Sequence, residues 1–378
     1  MMPTKHNPVN RLVVKIGSSL ITNDGRGLDS QAVTHWVEQI AKIRSQGQEV
    51  LLVSSGAVAE GMQRLGWSKR PHEMIKLQAA AAVGQMGLVH EYEHCFAKHQ
   101  IQTAQILLTH ADLLNRERYL NARSTLLSLL KLNVVPIINE NDTVVTDEIR
   151  FGDNDKLAAL VANIVGASLL IILTDQQGLY TADPRFNSDA TLISQAQAND
   201  PMLKSFASTS GSLLGQGGML SKILAAQRAA RSGASTIIAS GHTPEILIKL
   251  LNGESMGTYL KADQTSQSNP RWITDQTHIA GEIVLNEESK KQIEMDGNSV
   301  LPTGLLSVSG EFTRGALINC VDTQGKVFAY GLTNYNSAQM RSIQFGKDNQ
   351  NSATMSDAAI SLTNLEKELI HRDNLVLI

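Results

Sequence analysis

The sequence predicts an α/β protein: an open, mostly parallel sheet sandwiched by helices, followed by a small β-rich domain. Two observations carry this prediction. From residue 11 to about residue 250, short apolar runs alternate with longer segments of helical apolar spacing, which is the pattern of a parallel sheet with helices on both faces. Beyond residue 276, segments such as GEIVLNEESKKQ, GALINCVD and GKVFAYGLTNYN predict short strands separated by glycine turns.

Length and composition limit the kinds of partner. The 378 residues suffice for two or three domains, and the polar stretch 261–276 predicts a linker between residues 1–260 and 277–378. The formal net charge of −3 provides no basic surface for nucleic acid or anionic membrane, which favours small-molecule partners. Two cysteines and a polar N-terminus predict a reducing, cytoplasmic location. The apolar run 157–173 is interrupted by polar residues and glycine, so we interpret it as core and expect no membrane span.

The first predicted strand, RLVVKIGSSL, carries a lysine in an otherwise apolar run. An edge-strand lysine is one interpretation of Lys15. The glycine turn that follows would bring backbone amides close to a ligand, so we favour a lysine that faces a phosphate group.

The second predicted strand leads directly into a helix. A helix over residues 31–46 ends at Gly47, and EVLLVSSGAVAEG then gives a buried strand, the turn Ser54-Ser55-Gly56 and a helix start. Amides and a hydroxyl at this helix start could hold an anion, although a plain strand-to-helix turn with a serine cap fits the same residues.

A long helix is predicted over residues 71–98. It is rich in alanine and glycine, which suits close packing in an oligomer interface or in the core. The strand IQTAQILLT and the helix RERYLNARSTLLSLLKLN follow, with Arg116, Arg118 and Arg123 expected on the solvated face of that helix.

An acidic cluster follows the buried strand VVPII. Residues 139–155, NENDTVVTDEIRFGDND, contain six carboxylates and three asparagines and precede the apolar helix KLAALVANIVGA. So many carboxylates repel one another unless cations lie nearby, and the cluster stands at the carboxyl end of a strand, where open α/β sheets bind ligands. A solvated loop with Asp153 as a helix cap is the alternative.

Two further segments resemble ligand-binding turns. The strand SLLIILTD ends at Thr174-Asp175, and GSLLGQGGMLSK places four glycines before a helix that carries Lys222 in its first turn. The second segment fits neither a P-loop nor a dinucleotide-binding fingerprint, and a flexible loop with an incidental lysine is the alternative.

Phosphoryl transfer fits this set of residues best. A migrating phosphoryl group spreads negative charge over its oxygens, and Lys15, Lys222 and backbone amides would stabilise that charge while acidic side chains hold the lysines. A carboxylate acceptor, with a pKa of about 4.3, would already be ionised and would need no general base.

Seven segments of the sequence resemble the glutamate 5-kinase family. They are VVKIGSS from Val13, VSSGAVAEG from Val53, LLTHADLLNRERYLNAR from Leu107, PIINENDTV from Pro136, FGDNDKLAA from Phe151, LTDQQGLYTADPR from Leu173 and GQGGMLSK from Gly215. The resemblance spans nearly the whole chain and includes a PUA domain at about residues 281–357. It implies the amino-acid-kinase fold in residues 1–260 and ATP-dependent phosphorylation of the L-glutamate side chain to L-glutamyl 5-phosphate, the first step of proline biosynthesis.

The resemblance also implies roles for individual residues. Lys15 would bind phosphate, Lys222 would be the second charge-neutralising lysine, and Asp155 would orient both. The implied glutamate-binding residues are Ser55, Asp142 and Asn154. The implied ATP-binding residues are Lys15, Thr174, Asp175, Gln216, Gly217, Gly218, Met219, Leu220, Ser221 and Lys222. Gln216 and Leu220 depart from the small polar residues usual in the family, so nucleotide affinity could differ.

Partners follow from the same resemblance. Mg²⁺ is expected with ATP, proline as a feedback inhibitor, a homo-oligomer (dimer or tetramer) as the assembly, and glutamyl-phosphate reductase as a recipient of the product. Kinases for N-acetylglutamate, aspartate, carbamate and uridylate share the fold, and the NEND and GDND pair favours free glutamate. RNA binding through the PUA-like domain is the competing hypothesis. From His278 onward the sequence has 8 Lys and Arg and 12 Asp and Glu, and this acidic balance disfavours RNA binding.

Overall fold

A computed structural model describes residues 10–22, 27–145, 154–208, 218–262, 279–348 and 368–378. The chain divides into two compact units, Met1–Leu114 with Ala122–Gln264, and Asn115–Asn121 with Thr265–Ile378. Most of the predicted linker lies outside the described residues, so the boundaries at 260 and 277 stay predictions. Within the described ranges, no helix is both long and apolar enough to cross a membrane.

The first unit is built on an eight-stranded sheet. Its strands are β1 Arg11–Ile16, β2 Glu49–Val53, β3 Thr103–Leu108, β4 Val135–Glu140, β5 Leu169–Thr174, β6 Gln195–Gln197, β7 Ser235–Ser240 and β8 Thr258–Lys261. Their order is β3-β4-β2-β1-β5-β7-β8-β6, and neighbours run parallel from β3 to β7. Only the pairing of β7 with β8 is antiparallel among these strands. The predicted open, mostly parallel sheet is confirmed.

Helices accompany this sheet. They are α1 Ser18–Ile21, α2 Ser30–Ser45, α3 Ala57–Arg64, α4 Met74–Ala97, α5 His110–Leu114, α6 Arg116–Lys131, α7 Asn154–Val165, α8 Met202–Ser208, α9 Met219–Ala230 and α10 Ile246–Leu251. The valines and isoleucines of α2 and the apolar side chains on one face of β1 are fully buried in one core, as their spacing predicts. The expectation of a solvated arginine face on α6 is wrong for Arg123, which is buried, whereas Arg118 is exposed.

The carboxyl ends of β1 and β5 form the edge at which the site lies. β1 is central, with β2 on one side and β5 on the other, so the ends of β1 and β5 mark a switch point of the kind at which open α/β sheets bind ligands. Gly17 follows β1 and donates its N–H to the Leu173 carbonyl at 3.2 Å. A Cβ on Gly17 would stand 3.3 Å from that oxygen, so glycine suits this close approach.

The second unit contains a five-stranded sheet in the order β10-β9-β11-β12-β13. The strands are β9 Gly281–Leu285, β10 Leu305–Gly310, β11 Leu317–Val321, β12 Val327–Leu332 and β13 Leu375–Leu377, with helices α11 Glu287–Asp296 and α12 Ser337–Asp348. The predicted β-rich character is confirmed. The strand predicted over GEIVLNEESKKQ ends early, because the Asn286 side chain accepts the Ser289 N–H at 2.9 Å and starts α11.

Candidate active site

Two lysines from distant parts of the chain meet at one buried carboxylate. Asp155, in the first turn of α7, is fully buried. Its Oδ1 is 2.6 Å from Nζ of Lys15 on β1, and its Oδ2 is 3.0 Å from Nζ of Lys222 in the first turn of α9. Both lysine side chains are only 6% exposed. We call Lys15, Asp155 and Lys222 the charged triad.

The charged triad keeps its carboxylate ionised. Burial alone raises the pKa of Asp155, but the attraction of Lys15 and Lys222 outweighs burial and lowers the pKa to about 2. Ser221 adds a hydroxyl donor to Oδ2 at 3.2 Å. So weak a base does not accept a proton at neutral pH, and the geometry makes Asp155 an anchor for the two ammonium groups.

The position of Lys15 excludes one interpretation of the sequence. Its backbone is in register with Val53 of β2 and Ile172 of β5, so the strand has a neighbour on each side. Lys15 is therefore not an edge-strand lysine. A buried charge on a central strand requires a partner, and Asp155 provides it.

A cluster of amides lies at the carboxyl ends of β2 and β4. Nδ2 of Asn154 lies 2.6 Å from the Ser54 carbonyl, 3.0 Å from Ser55 Oγ and 2.7 Å from Asn139 Oδ1. Asn139 in turn donates its Nδ2 to Gln85 Oε1 at 2.8 Å. The structure thus brings together Ser55 and Asn154, two of the three predicted glutamate-binding residues.

The third predicted glutamate-binding residue, Asp142, lies in the turn after β4. It lines a cavity of about 230 Å³ together with Gln85 and Glu140. This cavity adjoins the amide cluster through Gln85. Of the other acidic residues of the predicted cluster, Asp147, Glu148 and Asp153 lie outside the described residues.

The predicted nucleotide-binding residues occupy two places. Thr174 is buried at the end of β5, and its Oγ1 donates to Oδ1 of the exposed Asp175 at 3.0 Å. Gly218 precedes α9, whose first residues are Met219, Leu220, Ser221 and Lys222. Leu220, which departs from the family pattern, is exposed. Gln216 and Gly217 lie outside the described residues.

Sequence reasoning missed Asn139 and Gln85. Asn139 had a signal, since it is a polar residue near the end of a strand whose every residue is buried. The sequence around Gln85 gives no such indication, because only the packing of α4 brings Gln85 to Asn139, which lies 54 positions later in the chain.

Two family models and several known proteins match this chain. A model described as the amino acid kinase family matches residues 10–240, and a PUA domain model matches residues 281–354. The chain is similar to the glutamate 5-kinases of Paraburkholderia xenovorans and Burkholderia thailandensis, each 57% identical over 369 residues, or 97% of this chain and 98% of the relative. The glutamate 5-kinase of Nitrosospira multiformis is 56% identical over 371 residues, with the same coverage.

Proposed function

The chain belongs to the glutamate 5-kinases of the amino acid kinase family, and from this premise we propose that it phosphorylates L-glutamate. The terminal phosphoryl group of ATP passes to the side-chain carboxylate, which gives L-glutamyl 5-phosphate and ADP. The observation that carries the proposal is the charged triad, in which two buried ammonium groups converge on one buried carboxylate.

The two lysines stabilise the transferring group. In the transition state the phosphoryl oxygens carry most of the charge, and donors fixed in advance stabilise that charge more than mobile ones do. Asp155 holds Lys15 at 2.6 Å and Lys222 at 3.0 Å, so both ammonium groups keep their places without a ligand. The three residues act as one electrostatic unit.

The acceptor needs no general base. A glutamate side chain with a pKa of about 4.3 is ionised at neutral pH and attacks phosphorus as it is. Asp155, with its pKa lowered to about 2, has no proton to give and little basicity. Its role is to position the lysines.

Residues around the amide cluster bind the acceptor in this proposal. Ser55 and Asn154 are within hydrogen-bond distance of each other and offer polar groups for a carboxylate, while Asp142 pairs with the substrate ammonium group. Gly56 adopts a left-handed conformation, with φ of 104°, as the chain enters α3. A Cβ there would lie 2.8 Å from Ile21, so glycine is required for this entry.

The nucleotide is proposed to bind as its magnesium complex. Among the described residues, no group of three or more His, Cys, Asp or Glu could hold a metal ion, and Asp155 already contacts a lysine through each oxygen. This donor set fits an Mg²⁺ ion that arrives bound mainly to nucleotide phosphates. Thr174, Asp175 and the first turn of α9 are the proposed protein contacts of the nucleotide.

The proposal also covers the pathway, regulation, assembly and location of the enzyme. It includes the first step of proline biosynthesis, feedback inhibition by proline, a homo-oligomer and transfer of the product to glutamyl-phosphate reductase, all of which rest on family resemblance. A cytoplasmic location agrees with the two cysteines, both free and buried. The domains are proposed as 1–260 for catalysis and 277–378 for the PUA-like part, joined by 261–276.

Trapping of the acyl phosphate tests the proposal. The protein is incubated with ATP, Mg²⁺, hydroxylamine and one amino acid at a time, and an acyl phosphate is read out as a hydroxamate. L-Glutamate should give ATP-dependent hydroxamate, and N-acetylglutamate, aspartate and carbamate should give little. Equal signal from N-acetylglutamate, or no signal from glutamate in a folded preparation, would reject the proposed substrate.

A further inference from the structure

Two glutamines on one face of α4 contact both ends of the segment that carries Asp142. Gln78 donates its Nε2 to the Val145 carbonyl at 3.1 Å, and Gln85 Oε1 accepts from Asn139 Nδ2 at 2.8 Å. The two glutamines are seven positions apart, which places them two turns apart on the same helix face. We call residues 139–145 the acceptor turn. α4 therefore contacts the acceptor turn where it starts and where it ends.

Three contacts fix which way the Asn139 amide points, and Gln85 provides one of them. The Asn139 NH₂ group points toward the Gln85 oxygen, which accepts its hydrogen bond. The Asn139 oxygen then faces Asn154 Nδ2 at 2.7 Å and the Glu140 N–H at 2.9 Å. If the Asn139 amide were flipped, its NH₂ group would face the Asn154 NH₂ group and the Glu140 N–H, which are both donors. Through Asn139, Gln85 thus also supports the orientation of Asn154, whose Nδ2 reaches Ser55 at 3.0 Å.

Close packing prevents α4 from shifting relative to α3. A Cβ on Gly84 would stand 1.8 Å from the Ala57 carbonyl, and a Cβ on Gly61 would stand 1.7 Å from the Ala80 carbonyl. The backbones of the two helices are therefore in direct contact. Since α3 begins two residues after Ser55, α4 is tied to both halves of the proposed glutamate site.

We propose that Gln78 and Gln85 are positioning residues that hold the acceptor turn and thereby set the affinity for the amino-acid acceptor. The inference rests on the proposed function and adds two residues that do not themselves touch the reacting atoms. It predicts a specific signature, because the acceptor turn carries the ammonium-binding Asp142 and has no part in binding the nucleotide.

Methionine variants test the inference. Gln85→Met keeps the length of the side chain and removes the acceptor oxygen. It also removes an Nε2 that is buried without a partner among the described residues, so the variant should fold. The net contribution of one hydrogen bond corresponds to roughly a three- to tenfold change in affinity. We expect Gln85→Met and Gln78→Met each to raise the KM for glutamate by about that factor. The KM for ATP should stay within about twofold of wild type.

Two further variants separate positioning from a general structural effect. Gln63→Met makes the same chemical change at an exposed position of α3 and should leave both KM values unchanged. Asn139→Ala should raise the KM for glutamate, and adding Gln85→Met to it should have little further effect, because Gln85 acts through Asn139. All five variants, including the double variant, are assayed for hydroxamate with glutamate and ATP varied in turn.

Three results would overturn the inference about the two glutamines. Wild-type KM for glutamate in both glutamine variants overturns the inference, and so does an equal rise in KM for ATP or full additivity of Gln85→Met with Asn139→Ala. If Gln85→Met fails to fold, Gln78→Met decides alone. A wild-type protein that makes no hydroxamate from glutamate rejects the proposed function and this inference together, whereas an active wild type with unaffected variants rejects this inference only.

Discussion

Replacing either lysine of the charged triad should abolish most turnover and leave the protein folded. Lys15→Met and Lys222→Met each remove one ammonium group and keep most of the volume of the side chain. Asp155 retains the other lysine in each variant, at 3.0 Å or 2.6 Å, so no variant leaves an unpaired buried carboxylate.

The expected size of the effect follows from the burial of the two lysines. Both side chains are 6% exposed, so water does not replace the lost charge readily. Removing one preorganised partner of a developing charge costs about 100- to 1000-fold in turnover, or roughly 3–4 kcal/mol. We therefore expect kcat to fall at least about 100-fold in each variant. The KM for glutamate should change little, because other residues bind the acceptor.

The hydroxamate assay at saturating ATP and glutamate measures this loss, with thermal unfolding as the test of folding. Lys42→Met is the matched control: this lysine is 56% exposed and 4.0 Å from an exposed Glu245. An isolated surface pair of this kind contributes little, so the control should keep wild-type turnover. If both triad variants fold and keep kcat within tenfold of wild type, the two lysines do not stabilise the transferring phosphoryl group.

Three other changes have defined outcomes. Asp155→Asn leaves two buried ammonium groups without their carboxylate. The free energy of unfolding in urea titrations should therefore fall by about 3–5 kcal/mol, and turnover should be lost. A stable, active variant would contradict the anchoring role. The lowered pKa of Asp155, about 2 against a reference of 3.8, contributes about 2 kcal/mol of stability that is present above pH 4 and lost as pH falls toward 2. Urea titrations across that range should show this loss in wild type and not in Asp155→Asn. Asp142→Ala should raise the KM for glutamate by about 10- to 100-fold with an unchanged KM for ATP, since it removes a charge-assisted hydrogen bond. Gly84→Ala should lower the melting temperature, because its Cβ would stand 1.8 Å from the Ala57 carbonyl and force α3 and α4 apart.

Strands β1, β2 and β5 could be predicted because nearly all of their residues are buried. The runs around β1, β2 and β5 are apolar and β-branched without alternation, which is typical of a parallel sheet covered by helices. The order of the strands could not be predicted. It depends on pairings such as β1 with β5, whose residues lie more than 150 positions apart in the chain and leave no local signal.

The charged residues of the site could be predicted for a similar reason. Lys15 and Lys222 are charges in apolar or glycine-rich surroundings, and such placement is costly unless a partner exists. Asp155 lay in the acidic cluster, and the family resemblance distinguished it from the other carboxylates there. Gln85 escaped prediction because it carries no charge and only the packing of α4 brings it to Asn139. Asn139 lies in a buried strand, but a neutral amide does not require a charged partner as a buried lysine does. The burial of Arg123 escaped because helical spacing alone does not show what packs on each face.

The charge balance of the charged triad favours the binding of an anion. Two ammonium groups face one carboxylate, so the three buried side chains carry one net positive charge. A net charge held away from water raises the free energy of a site, and the binding of one more anion lowers it. A phosphate group supplies that anion where the lysines already point. Phosphate binding and folding are therefore coupled: a nucleotide that binds only the folded chain stabilises it by mass action. This coupling should weaken when either lysine is removed, because the net positive charge that favours the phosphate disappears with it.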